Sequence, residues 1–373
     1  MRHLKTYQLF EAAKTGLTGK QEEFLNKHTK GSWKYNPTTG LVDVKGDFVC
    51  EGRRLNTLRG VKFGKVSGKF NCDSNKITSL EGAPQEVGGD FKCSNNKLTT
   101  LKGVPEKIGG DFVCSYNKLT SLEGAPREVG GNFFCSDNNL TSLKGAPQKV
   151  GEKFYCFGNK LTSLEGAPQQ VGKSFYCHTN KLTSLKGAPQ HVGKIFDCHN
   201  NKLTSLEGAP KKVGGDFYCS HNNLYSLEGA PQEVGGGFYC HANDLTSLKG
   251  APQEVGGGFS CVDNNLTSLE GAPQEVGGDF GCDSFSLSGE EWNPEGWLWV
   301  FKNGKPQAQS LILTLISPDV LNRKIQKDPA GMIMKLKPFW NDERFKETRS
   351  KLVWPKGYEE EMDIVGDINT IGF

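Results

Sequence analysis

No apolar run in this chain approaches the length needed to cross a membrane; the longest candidate, 311–316, is far too short. The opening MRHLKTYQLFEAAKTG lacks a continuous apolar segment and a cleavage pattern, so it does not read as a secretory signal. Without one, a cytoplasmic location with reduced thiols is expected, and no membrane contact. Charge imbalance is also missing: 45 Lys and Arg stand against 42 Asp and Glu, a net +3. No global field therefore argues for nucleic acid. Paired cysteines of the C-x-x-C kind, the usual metal framework, are absent. Beyond Phe285 there is neither Cys nor His, which excludes a thiol ligase or a Ser–His hydrolase within that region alone. Gly172, Lys173 and Ser174 spell the end of a phosphate loop, but Ala167 stands where its first glycine belongs. The expectation is a non-enzymatic chain with no catalytic residue and no cofactor.

What the chain has instead is a ruler. From Cys72 to Cys282 every cysteine follows the last by 21 residues, and Cys50 precedes Cys72 by 22. A phenylalanine stands two residues before each, Phe48 through Phe280. Two ladders locked to one period predict a solenoid with one coil per repeat, about twelve coils in all.

In GGDFYCSHNNLYSLEGAPQEV, residues 214–234, Phe217 and Cys219 alternate with polar neighbours, which predicts a short strand with both facing inward. Leu224, Leu227 and Val234 should complete the apolar set. Asn222 and its equivalents sit at a bend, where an amide can pair with backbone of its own and the adjacent coil. Gly229 and Pro231 disfavour a regular helix on the far side, so extended or 3₁₀-like segments are expected there. One residue past the second leucine, charge alternates through Glu81, Lys102, Glu123, Lys144, Glu165, Lys186 and Glu207, then Glu228, Lys249 and Glu270. Pairing across coils would help fix register. The cysteines are expected to be reduced and buried, packing as small hydrophobes.

The order F-x-C-x-x-N-x-L-x-x-L resembles the leucine-rich repeat, with Phe and Cys in place of its two strand leucines. The resemblance covers roughly residues 46–290, and the N-x-L-T-S-L phrase is most similar to bacterial-type repeats. It implies an α/β solenoid, a leucine-rich-repeat horseshoe whose parallel sheet lines the concave side. The opening MRHLKTYQLFE and the cysteine-bearing coils are also similar to uncharacterised repeat proteins of large tailed bacteriophages. That likeness implies a host or defence protein as partner.

Three regions are expected. Residues 1–45 form an N-terminal cap, with a Thr18–Gln21 capping box, Phe24 and Leu25 on a helix stopped by Gly31, and a hairpin from Trp33 to Val44. Residues 46–284 form the solenoid, its first coil degenerate with Arg53 at the Asn position. Residues 285–373 form a tryptophan-rich, mainly helical C-terminal cap or small domain, with helices over 307–316, 319–327 and 338–352. Segment 319–356 is basic and the tail after Trp354 is acidic; they read as a solvated helix face with a tail packing on it, or as a basic patch for nucleic acid or a docking tail.

The candidate site lies on the outward face of the strands. Between Phe and Cys stand Phe134, Tyr155, Tyr176, Asp197, Tyr218 and Tyr239 in consecutive coils; just past Cys come Phe157, His178, His199, His221 and His241. Exposed aromatic stripes suit recognition of a protein partner, while stacked cross-strand packing explains them without function. His178, Asp197 and His199 are the one trio that could meet a divalent metal, although a flat sheet rarely closes a coordination shell. The sequence therefore predicts a protein-binding solenoid, monomeric or weakly oligomeric. A virion or assembly component, and an effector with a nucleic-acid-binding C-terminal region, remain as other readings.

Overall fold

The computed structural model describes residues 16–282 apart from 267, 268 and 279, together with 318–336 and 346–358. Its centre is a parallel-strand solenoid of about eleven turns. The count falls below the twelve cysteines because Phe48 and Cys50 arrive on a hairpin strand rather than from a preceding coil.

That hairpin joins β1 (Thr29–Asn36) to β2 (Leu41–Val49) in antiparallel register, and β2 then pairs in parallel with β3 (Phe63–Val66) and β4 (Phe70–Asn71). Ahead of it, α1 (Gly19–His28) starts at the expected capping box: Thr18 N–H donates to Gln21 Oε1 at 2.8 Å, and Gln21 N–H donates to Thr18 Oγ1 at 3.3 Å. The Phe24 ring meets Phe48 edge-on at 5.5 Å, so the helix covers the first rung of the core. Gly31 does not stop this helix, which ends at His28. It lies within β1 opposite Gly46, and a Cβ there would sit 2.1 Å from the Lys45 carbonyl oxygen. The need for glycine is cross-strand contact, not a helix cap.

Each coil after β2 contributes two short strands. The first carries Phe and the residue after it; these pair in strict register from Phe70 onward through Phe91, Phe112 and their successors to Phe280. The second is the two-residue stretch ending at Val87, Ile108, Val129 and their equivalents, also parallel and in register. The far side of the coil is thus extended, as its prolines imply. Helix is confined to the chain ends among the described residues.

Phe, Cys, both leucines and the valine of the coil at 214–234 are buried. Phe rings stack from coil to coil with centroids 5.1–5.7 Å apart. All twelve cysteines are free and buried. Their thiols are more than filler: Cys114, Cys135, Cys177 and Cys198 donate S–H to a strand carbonyl of the next coil at 3.2–3.3 Å. The Asn ladder closes the bend as expected. Asn96 Nδ2 donates to the carbonyls of Cys93 in its own coil and Cys72 in the one before, while Asn96 Oδ1 accepts from Ile77 N–H at 2.9 Å. In the degenerate first coil, the Arg53 and Leu55 N–H groups both donate to Asn75.

At the other end, α2 (Pro318–Lys327) and α3 (Pro329–Leu336) each begin at a proline, which fits the first turn because its N–H would be unpaired anyway. The expected helix at 338–352 is reduced, within the described residues, to α4 (Lys346–Arg349). The strip 351–353 bonds to α2 through Asn322 and Gln326. The expected helix at 307–316, Phe285, Trp292, Trp297, Trp299, Trp340 and the acidic tail lie outside the described residues.

Candidate functional site

Because the Phe-bearing strands pair without slippage, residues between Phe and Cys form one column on the outer face, and residues just past Cys form a second beside it. Side chains in one column stand one strand apart, roughly 4.8 Å, the spacing at which flat rings stack. In the first column Phe134 lies on Tyr155 at 4.5 Å and 5°, and Tyr155 on Tyr176 at 4.7 Å and 3°. Asp197 interrupts the series, which resumes with Tyr218 on Tyr239 at 4.7 Å and 10°. In the second column Phe157, His178 and His199 stack at 4.5 Å per step.

The stripe is less open than its sequence implies. Each ring covers the face of the next, so Phe134, Tyr155, Phe157, Tyr176, His178, His199, Tyr218, Tyr239 and His241 are half-buried, their edges toward solvent. Asp197 is buried, 8% exposed. His221 leaves the row: it occupies the next position, where φ is +53°, and meets His241 edge-on at 5.4 Å. Its equivalents Ser74, Asn95, Tyr116, Asp137, Thr179, Asn200, Ala242 and Asp263 are also left-handed, and Gly158 fills the same place. Sequence reasoning missed this corner, since side-chain identity there varies while only the backbone repeats.

One polar contact organises the centre. His199 Nδ1–H donates to Asp197 Oδ1 at 2.6 Å, and the His199 backbone N–H donates to the same oxygen at 3.2 Å. Burial pushes the His178 imidazole below its ordinary 6.5; the Asp197 charge opposes this and His199 adds to it. Burial, then His221, lowers His241 as well. Burial and the Asp216 carboxylate raise Tyr218 to about 12, and its hydroxyl donates to Asp216 at 3.2 Å. Among the described residues no three His, Cys, Asp or Glu side chains form a group able to hold a metal ion, the trio of His178, Asp197 and His199 included. Its two imidazoles stack face to face rather than converging on one point.

Among the described residues no hydroxyl or thiol bonds to the Asp197 carboxylate or to the His199 imidazole. Ser220, next to His199 in the second column, is 4% exposed and makes no bond to it. Burial raises the thiols from Cys50 to Cys240 out of the range in which a thiolate forms: Cys50 is raised to about 12, and Cys72, Cys177, Cys198 and Cys219 are raised well above their ordinary value.

Two features lie off the stripe. Tyr116 and Tyr225 are each 62% accessible; Tyr225 stands where most coils carry Thr, and Tyr116 sits at the left-handed corner, where side-chain identity varies. A wide groove of about 920 Å³ runs over the second strand column, lined by Lys65, Glu86, Lys107, Glu128, Lys149 and bare glycines. Its charges partly neutralise each other, Lys65 with Glu86 at 3.1 Å and Lys107 with Glu128 at 3.2 Å. Exposed ion pairs of this kind each contribute little, about 0–1 kcal/mol. The alternating ladder expected one residue past the second leucine closes as well, at Glu123–Lys144, Glu165–Lys186 and Lys249–Glu270.

No protein-family model and no curated protein matches the chain. Among solved structures it is similar to YopM from Yersinia enterocolitica WA-314, with 17% identity, a TM-score of 0.40 and 62% of each chain covered. It is also similar to the functional domain of InlJ from Listeria monocytogenes, described as including a cysteine ladder, with 16% identity, a TM-score of 0.29 and 60% of each chain covered. The matched part thus spans less than two thirds of either protein.

Proposed function

We propose that the chain is a non-enzymatic binding protein that recognises a protein partner along the stripe from Phe134 to His241. One observation carries this reading: five aromatic rings in the first column are held edge-out by stacking on a rigid sheet, Phe134, Tyr155, Tyr176, Tyr218 and Tyr239. Rings fixed before binding lose little conformational freedom on contact, and aromatic anchors dominate recognition energies. The regions 1–45, 46–284 and 285–373 serve in this reading as cap, recognition array and C-terminal cap. Twelve free thiols suit a reducing cytoplasm. The likeness to phage repeat proteins would make a host or defence factor the partner.

The test compares capture by the wild-type chain with capture by a variant carrying Tyr155→Ala, Tyr176→Ala, Tyr218→Ala and Tyr239→Ala. Cross-linked partner should be lost from the variant while its circular dichroism stays native. Equal capture by both chains would overturn the site.

A further inference from the structure

The ring stack of the first column has one missing member, and the gap has a definite shape. Asp197 pairs in register with Tyr176 on one side and Tyr218 on the other. A carboxylate is too short to fill the space of a ring. Tyr176 and Tyr218 therefore flank a slot two strands wide, roughly 9–10 Å between ring centres. Anything flat seated in it lies about 5 Å from each ring, inside the ~6 Å reach of a cation–π contact.

The floor and rim of the slot are acidic. Both hydrogen bonds to the buried Asp197 carboxylate fall on Oδ1, and Oδ2 has no partner among the described residues. Asp216, bonded to the Tyr218 hydroxyl, adds a second carboxylate at the edge. From Phe134 to Ser260 in the first column, and from Ser136 to Val262 in the second, no Lys or Arg occurs. His199 and His178 close the side away from the strand start, stacked on each other.

We propose that this slot binds an arginine side chain of the partner, its guanidinium sandwiched between Tyr176 and Tyr218 and hydrogen-bonded to Asp197 Oδ2. A guanidinium is flat, cationic and weakly hydrated, and it presents N–H groups in its own plane toward a carboxylate. An ammonium satisfies the charge but not the shape; a neutral aromatic satisfies the shape and leaves the carboxylate covered without a partner. The proposal rests on the stripe being a recognition surface and names the chemistry that its centre selects.

The probe is Nα-acetyl-arginine amide, titrated into the full chain and followed through the ring resonances of Tyr176, Tyr218 and His199. Shifts confined to these rings are expected, with Nα-acetyl-citrulline amide and Nα-acetyl-lysine amide each binding at least about tenfold more weakly, a difference of about 1.4 kcal/mol. Asp197→Asn should weaken the arginine probe by about tenfold or more. Asp197→Tyr, which would continue the ring stack, should abolish binding and leave the circular dichroism native. Citrulline binding as tight as arginine, or arginine binding unchanged by Asp197→Asn, would overturn the slot. Should Asp197→Asn fail to fold, Tyr218→Leu is read in the same way. No partner protein enters this titration, so failure of the slot and failure of the stripe as a capture surface are read separately.

Discussion

Asn159 shows how much of the fold a single polar side chain can hold. Its Nδ2 donates to the carbonyls of Cys135, Cys156 and Phe157 at 3.0–3.2 Å, and its Oδ1 accepts from Leu140 N–H at 3.0 Å. In Asn159→Ala the Leu140 N–H loses its partner, while the Cys135, Cys156 and Phe157 carbonyls each keep one, from Asn138, Asn180 and the Asp137 N–H; a buried unpaired donor is strongly unfavourable. That variant should lose about 1–3 kcal/mol, read as a lower urea midpoint at unchanged slope. Histidines set the pH response. His28, His178 and His241 are each lowered from 6.5, by burial first. The unfolded chain then binds more protons than the folded one as pH drops through 6.5, so stability present at neutral pH is progressively lost below it. Asp73 has the opposite sign: burial raises it from 3.8 to about 6, and its contribution is present at low pH and lost as pH rises through that value. Between about pH 7.5 and about pH 6.5 the three histidines outweigh this one carboxyl, so Tm should fall on acidification. In a chain with His178→Gln and His241→Gln the fall should be shallower; an equal slope would remove these two residues as its source.

Elements in this protein are too short to stand alone. A two-residue strand fixes more backbone than its few hydrogen bonds return, so what stabilises it is the rung beneath and the rung above. Phe175→Ala removes a fully buried ring stacked between Phe154 and Phe196. Its expected cost is about 3–5 kcal/mol, measured by denaturant titration. The glycines after each valine are fixed by the same closeness. At Gly130 a Cβ would sit 2.3 Å from the Gly109 carbonyl oxygen. Gly130→Ala should therefore lower Tm, although removing glycine freedom from the unfolded chain would by itself stabilise by about 0.4–1 kcal/mol. A raised Tm would show that neighbouring coils part easily.

At the scale of the whole molecule, each coil touches chiefly the coils beside it, so stability is distributed along a line and loss begins where a neighbour is thin. Cys50 lies beneath α1 and the hairpin at 0% exposure, whereas Cys282 is 9% exposed. In mild denaturant a thiol reagent followed by peptide mapping should modify Cys282 before Cys156 and Cys50. In full denaturant without reductant all twelve thiols should react, and markedly fewer would contradict the free ladder. Simultaneous labelling of all positions would show instead that the array unfolds as one unit.

The coil was legible in one dimension: its period, the inward Phe and Cys, the Asn at the bend and the leucine pair. Those residues recur because every coil presents the same environment, and recurrence needs no coordinates to be seen. Departures from the repeat are visible in the same way, hence the stripe. How those departures sit was decided in three dimensions. Stacking one coil on the next turned a row of exposed rings into half-buried plates and set one short side chain, Asp197, between two of them, while His221 turned a left-handed corner and Gly31 became a strand contact within the hairpin rather than a helix stop. Each outcome depends on distances between residues well separated in the chain or on backbone angles, and neither is written in the identity of the residue concerned.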